Sequence, residues 1–375
     1  TAKLIKAAGD RHLWSETYNR ELDDVFTIQE EISTAIVDNL RIRLLGKEKE
    51  SLAKPYTKNI EAYEAYIKGR YYYLSFTNEG RKKALQYYEE AVRLDPCYAL
   101  AYSAIAEYYW GTPSKGPRTI SRDEAYTRAM EAINTALEID NSIPEAYATL
   151  GIIKMHYEWD IKGAEKAYKT AVDLNPGLSK VHYDYAFYLA ITGDINNAFL
   201  EARKSIELDP LFGLTHMCYG ICLLVSGQYD QALEKLLQGH EMMPTYVDAF
   251  TCLASVYILK GMFDEAMDEI IKGLEIAPGE HILLSQLGHI NSLKGKKEKT
   301  QEILNELLEI SKKEFVNPVA VASLYIDLEE TDKAFEWLEK SCETREISFY
   351  FLMAGQLRFL YLDPRVNPFF KKLGV

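Results

Sequence analysis

Four prolines, Pro176, Pro210, Pro244 and Pro278, stand 34 residues apart in a chain of 375. Gly193, Gly227, Gly261 and Gly295 keep the same step, as do Ala198, Ala232 and Ala266. No other feature constrains the fold as strongly. A proline, a glycine and a small residue in fixed phase require one helical unit built repeatedly, each burying its apolar face only against the next. The expected fold class is all-α: a solenoid of about eight helix-turn-helix repeats starting near residues 65, 99, 144, 179, 213, 247, 281 and 315.

Each first helix offers a small residue for close contact: Ala106, Gly151, Ala186, Gly220, Ala254, Gly288 and Ala322. Each second helix offers another, at Ala84, Ala129, Ala164, Ala198, Ala232, Ala266 and Ala334. Small side chains at both places let helix axes approach to about 8–10 Å. The glycines are expected to end the first helices in the left-handed conformation, with Asn196, Asp230, Asp264 and Asp332 as N-caps of the second. Over residues 65–347 the pattern resembles the tetratricopeptide repeat, which implies a right-handed superhelix and a protein-binding role.

Three units depart from the pattern. The second carries an 11-residue insertion, Gly111 to Ser121, expected as a surface loop. The third has one extra residue near Trp159-Asp160, and the seventh has Thr300 for the alanine and Lys312 for the proline, so it should be the loosest interior unit.

Residues 1–46 read differently: strand 2–8, turn at Gly9-Asp10, strand 12–20 with Trp14 and Tyr18 on one face, then a helix with the stripe Val25, Ile28, Ile32, Ile36 and Leu40. A β-hairpin plus helix is too little to stand alone and reads as the remnant of an α/β domain. The series Ala2-Lys3-Leu4-Ile5, His12-Leu13-Trp14-Ser15-Glu16, Tyr18-Asn19-Arg20-Glu21-Leu22 and Val25 to Ile32 resembles the end of a TolB-like domain. That resemblance implies a bacterial signalling protein in which a class III adenylate/guanylate cyclase domain or a winged-helix regulator lies upstream. Thr1 in place of a methionine fits a natural chain that continues upstream. Residues 47–64 read as a linker and 348–375 as a segment capping the last repeat, whose Asp363-Pro364-Arg365 is similar to endings in the cyclase-linked family.

A net charge of −13 argues against a nucleic-acid partner, and no apolar run approaches the roughly 20 residues of a membrane span. Five cysteines without a CxxC pair fit a reducing, cytoplasmic setting. The sequence holds no nucleophile elbow, phosphate loop, HExxH or dinucleotide fingerprint, so no catalytic residue, metal or cofactor is expected. Cys218, Cys222, Cys252 and His216 could be drawn as a soft-metal site, but their phase is a packing phase, where cysteine acts as a small hydrophobe.

Function is expected on the inner wall formed by the first helices. The resemblance implies that the second, fifth, ninth and twelfth residues of each repeat line it. Their apolar members are Tyr66, Tyr73 and Phe76 in the first repeat, Leu100 and Trp110 in the second, Ile152 and Met155 in the third, and Tyr183 and Phe187 in the fourth. Leu214, Met217, Ile221 and Leu224 follow in the fifth and Ile258 in the sixth. The wall should be an apolar peptide-binding groove in front, and small or polar, with an inward His289, from the sixth repeat on. The phases hold Tyr, Leu, Ser, Glu and Ile rather than the Lys and Asn of a carboxylate clamp. Two other readings stay open: a fragment of a nucleotide cyclase, and a homodimerisation module.

Overall fold

The structure, a computed structural model, describes residues 2–6, 11–16, 31, 32, 35, 56–111 and 120–345. Strands β1 (Ala2–Lys6) and β2 (Arg11–Glu16) pair antiparallel, with a register shift between Leu4 and Ile5. The turn at Gly9-Asp10, the face of Trp14 and Tyr18, the stripe of the following helix, the linker core, the loop centre at 112–119 and the segment 348–375 lie outside the described residues.

From residue 60 on, eight antiparallel helix pairs follow one another among the described residues. They are α1 (Ile60–Tyr73) with α2 (Asn78–Leu94), α3 (Ala99–Gly111) with α4 (Arg122–Ile139), and α5 (Pro144–Ile153) with α6 (Ile161–Leu174). Then come α7 (Ser179–Ile191) with α8 (Ile195–Leu208), α9 (Gly213–Val225) with α10 (Tyr229–Met242), and α11 (Val247–Leu259) with α12 (Phe263–Ile276). The last are α13 (His281–Leu293) with α14 (Lys297–Ser311) and α15 (Pro318–Asp327) with α16 (Thr331–Glu343). Each helix packs on its pair-mate and on the next repeat, which is a solenoid with the tetratricopeptide period.

The small residues do what their phase requires. Ala106, Ala186, Ala254 and Ala322 on first helices, and all seven alanines of the second helices, have no exposed surface. A Cβ added at Gly151 would lie 2.9 Å from the Tyr168 ring, at Gly220 2.8 Å from Leu236, and at Gly288 2.3 Å from Leu324. Thr300, which replaces the alanine, is fully buried and its hydroxyl donates to the Gly288 carbonyl at 2.8 Å. The contact between α13 and α14 is nonetheless the sparsest of the eight pairs, in line with the looseness expected of the seventh repeat.

The glycines Gly193, Gly227, Gly261 and Gly295 take φ values between 73° and 89°. The capping assignment shifts by two residues. Asp194 caps α8, and Gln228, Met262 and Glu330 precede α10, α12 and α16, so Asn196, Asp230, Asp264 and Asp332 lie inside the first turn. There a carboxylate meets the positive end of the helix dipole. Asp230 also pairs with Lys260, and Asp264 with Lys294 at 2.6 Å, each lysine ending the first helix one repeat on. The prolines close the second helices in a specific way: His182 Nε2 donates to the Pro176 carbonyl at 2.9 Å and His216 Nε2 to that of Pro210 at 2.8 Å.

Three units differ from expectation: the eighth, whose α15 starts at Pro318 and not 315, and two others for one geometric reason each. In the third repeat the extra residue widens the helix into a π turn, Lys154–Glu158, and Trp159 then takes φ 58°. In the first repeat α1 starts at Ile60 rather than 65, and Phe76, at φ 55°, stands two residues before α2, where later repeats have their glycine. The phase of that repeat is therefore three residues earlier than the sequence suggested.

Ala232→Arg should destabilise the array by more than about 3 kcal/mol, because the site is overpacked and the buried charge unpaired. Urea unfolding followed by circular dichroism measures it; a midpoint equal to the parent's would mean that the helices do not cross there.

Candidate functional site: the inner wall of the first helices

First helices of successive repeats pack directly on one another, from α3 on α5 to α13 on α15, whereas second helices pack on first helices. The first-helix layer is the tighter of the two and forms the inner wall. Curvature there brings residues two repeats apart together.

Arg70 on α1 donates to Glu107 on α3 at 2.9 Å. The other oxygen of Glu107 lies 3.4 Å from the ammonium of Lys180 on α7, which donates to Asp184 at 2.7 Å. One carboxylate thus ties the first repeat to the fourth. Tyrosines flank the run: the Arg70 guanidinium is 5.7 Å from the Tyr73 ring centre and Lys180 is 5.6 Å from that of Tyr183.

Burial disfavours the Glu107 carboxylate, but Lys180 and Arg70 outweigh it and hold its pKa below the usual range. Burial also opposes the charge of Lys180, and Asp184 and Glu107 overcome it, keeping the amine protonated. Asp184 and Glu145 go the other way: burial pushes both carboxyls up, more than Lys180 pulls them down. Oε2 of Glu145 is sealed from solvent without a hydrogen-bond partner.

Beside this run lies an aromatic wall. The His156 ring, on the π turn, is centred 6.0 Å from Trp110 and 6.3 Å from Phe187. Arg122 covers Trp110 at 3.9 Å. Burial, with help from Arg122, lowers the His156 pKa to about 3, so its ring is a neutral apolar surface near pH 7.

Of the apolar residues expected on the wall, Tyr66, Tyr73, Phe76, Trp110, Ile152, Tyr183, Phe187, Leu214 and Ile258 are half-buried. Leu100, Met155, Met217, Ile221 and Leu224 are buried, Met155 completely. The most exposed large apolar side chains include Leu211 and Tyr71 but none of these fourteen. Close packing of neighbouring first helices covers them. Phe76 leaves the wall because of the three-residue phase shift, and Arg70 enters it.

Choosing only apolar members of the four phases passes over Glu145 and Lys180 at the second position and Glu107 at the ninth. Those positions were legible. Asp184 and His156 were not, because one lies outside the four phases and the other sits on the π turn.

In the back half the wall is polar, as its composition suggested. Gln286 donates to Ser255 at 2.9 Å, Ser285 and Ser323 are 2.6 Å apart, and His289 Nδ1 is 2.7 Å from Asp327. Cys218 donates to the Tyr183 carbonyl at 3.2 Å, a packing role. Among the described residues no three His, Cys, Asp or Glu side chains gather to hold a metal.

Fold and wall define a helical-repeat array whose first-helix surface is charged and aromatic. No protein-family model matches the chain. It is similar to "Putative adenylate cyclase 3" of Rhizobium meliloti, 30% identical over 154 residues, covering 40% of this chain and 26% of that protein. It is also similar to the transcriptional regulator HilA of Salmonella typhimurium, 26% identical over 140 residues, 37% of this chain and 25% of that one. The matched region is thus about a quarter of the length of these curated relatives. Among solved structures, a tetratricopeptide repeat protein from Parabacteroides merdae superposes with a TM-score of 0.46 at 14% identity, over 73% of this chain and 99% of that one.

The raised pKa of Glu145 gives a prediction with a definite sign. A carboxyl whose folded pKa lies above its unfolded value of about 4.3 makes the folded state bind more protons, so its contribution to stability falls as pH rises through that window. Glu145→Gln should therefore raise the melting temperature at pH 7 by about 2 °C or more and leave it unchanged near pH 4. Calorimetry at both pH values checks this; a lower melting temperature at pH 7 would show that the charged carboxylate is stabilising.

Proposed function

We infer that the chain is a protein-interaction scaffold that binds an extended or helical peptide segment along the front half of its inner wall. The observation that carries the reading is the aromatic wall of Trp110, His156 and Phe187 beside the tyrosine-flanked run from Arg70 to Asp184. Half-buried rings with fixed polar neighbours offer anchoring area and orientation together. Anchors contributing roughly 1.5–3 kcal/mol each would leave micromolar affinity after a short peptide is ordered. Lys180 occupies a phase that a carboxylate clamp would use, but it is already paired to Glu107 and Asp184. A free C-terminal carboxylate is therefore not the preferred ligand.

The wider setting is a bacterial signalling protein in which this array, behind a TolB-like segment, positions an upstream effector in the cytoplasm. Supporting it are the first 45 or so residues and the two kinds of relative, one named as an adenylate cyclase and one as a transcriptional regulator. The array itself is a binding module and not the catalyst; cyclic AMP made by this chain from ATP and a divalent metal would overturn that. Homodimerisation is the competing use of the wall, and light scattering across concentrations separates the two.

Peptides of 12 residues panned against the chain should bind in the micromolar range and lose at least about tenfold in affinity on Trp110→Ala or Phe187→Ala. Ligands indifferent to both substitutions would place binding elsewhere.

A further inference from the structure

Three of the four non-glycine residues with positive φ among the described residues, Phe76, Trp159 and Arg345, meet partners far along the chain. Phe76 lies 4.8 Å, ring to ring, from Tyr246, which follows the second helix of the fifth repeat. It also packs against the cluster of Met217, Leu224 and Cys252 on α9 and α11. Arg345, just past α16 of the eighth repeat, lays its guanidinium 4.1 Å above the Trp159 ring and 5.8 Å from that of Tyr157 in the third. A solenoid otherwise joins each repeat to its near neighbours. These contacts instead join one part of the superhelix to a part several repeats further on.

The turn chemistry points the same way. The fourth to seventh repeats place glycine two residues before the second helix, where φ is positive, and Gly193, Gly227, Gly261 and Gly295 meet nothing within 4 Å of an added Cβ, while the eighth holds Glu329 there at φ 65°. The first and third repeats hold Phe76 and Trp159 at that place, a conformation that strains an L side chain and that glycine adopts freely. The Trp159 indole nitrogen is buried without a hydrogen-bond partner, so the ring is held by its faces and not by its polar edge. Strain and an unsatisfied donor persist where surrounding contacts offset them.

We propose that the solenoid is latched edge to edge, turn against turn, by Phe76 on Tyr246 and Arg345 on Trp159, and that ligand entry to the front-half wall follows opening of these contacts. The gating half of this proposal rests on the groove reading above; the latch does not. The device is autoinhibitory: the closed superhelix covers the wall that the aromatic stack and the charged run present. It also accounts for two turns that keep large aromatic rings where glycine would relieve strain.

The test uses the whole chain with Phe76→Gly, Trp159→Gly and the double substitution, which install the residue that the fourth to seventh repeats carry and so should not break the turns. Without ligand, the double variant should show a larger radius of gyration by small-angle scattering and amide exchange at least about tenfold faster at Tyr246 and Asp248. Phe76→Tyr, which keeps the ring, should behave as the parent. Panned peptides should associate with the double variant at least about threefold faster. Unchanged scattering and exchange, with a melting temperature at or above the parent's, would overturn the latch. An opened array with an unchanged association rate would overturn the gating. Absence of any peptide binding to either form would instead count against the groove reading, while the scattering result still decides the latch.

Discussion

The structure depends on one close approach, repeated. In the pairs a first-helix alanine or glycine sits fully against its neighbours, glycines at Gly151 and Gly220 against the second-helix Tyr168 and Leu236, and the second helices place a buried alanine, or Thr300 in the seventh repeat, at their own crossing. Every other feature is positioned by that contact. Because the pairs are thin and alike, first helices pack against one another on the inside, and side chains from the first, second and fourth repeats meet there. A looser crossing would move Arg70 and Lys180 out of reach of Glu107.

The inner wall combines opposing terms. Desolvation works against each charge in the run, yet Glu107 and Lys180 stay ionised because each faces partners of opposite sign. Glu145 has weaker compensation and one orphan oxygen, so the run carries one carboxyl more than it can satisfy. The rings beside it, Trp110, His156 and Phe187, carry no charge, the histidine because burial strips its proton.

Much of the array could be read before any coordinates. The first helices at Ser179, Gly213, Val247 and His281 begin where the 34-residue step puts them, and those at Ala99 and Pro144 do so once the added residues of the second and third repeats are counted, since helix period, small residues and turn glycines repeat in register. The first repeat misled because its turn has no glycine, and without that marker Phe76 was counted onto the wall and Arg70 off it. The caps misled by two residues because an acidic residue in a first turn and one at the cap satisfy the same dipole. The site was less legible than the fold. Lining phase alone does not fix exposure: Met155, Met217 and Ile221 are covered by neighbouring helices, which no single repeat encodes.

The π turn at Lys154–Glu158 has a consequence for how such a chain can change length. One added residue in an α-helix rotates everything after it by about 100°, which would swing α6 off its partner and spoil every later crossing. Here the addition is absorbed within one wide turn, and α7 begins on schedule at Ser179. The larger insertion of the second repeat falls between helices instead, from the end of α3 at Gly111 to the start of α4 at Arg122. In these two repeats added length sits inside a turn that can widen or between helices, and the stacking register of the array is the quantity both leave untouched.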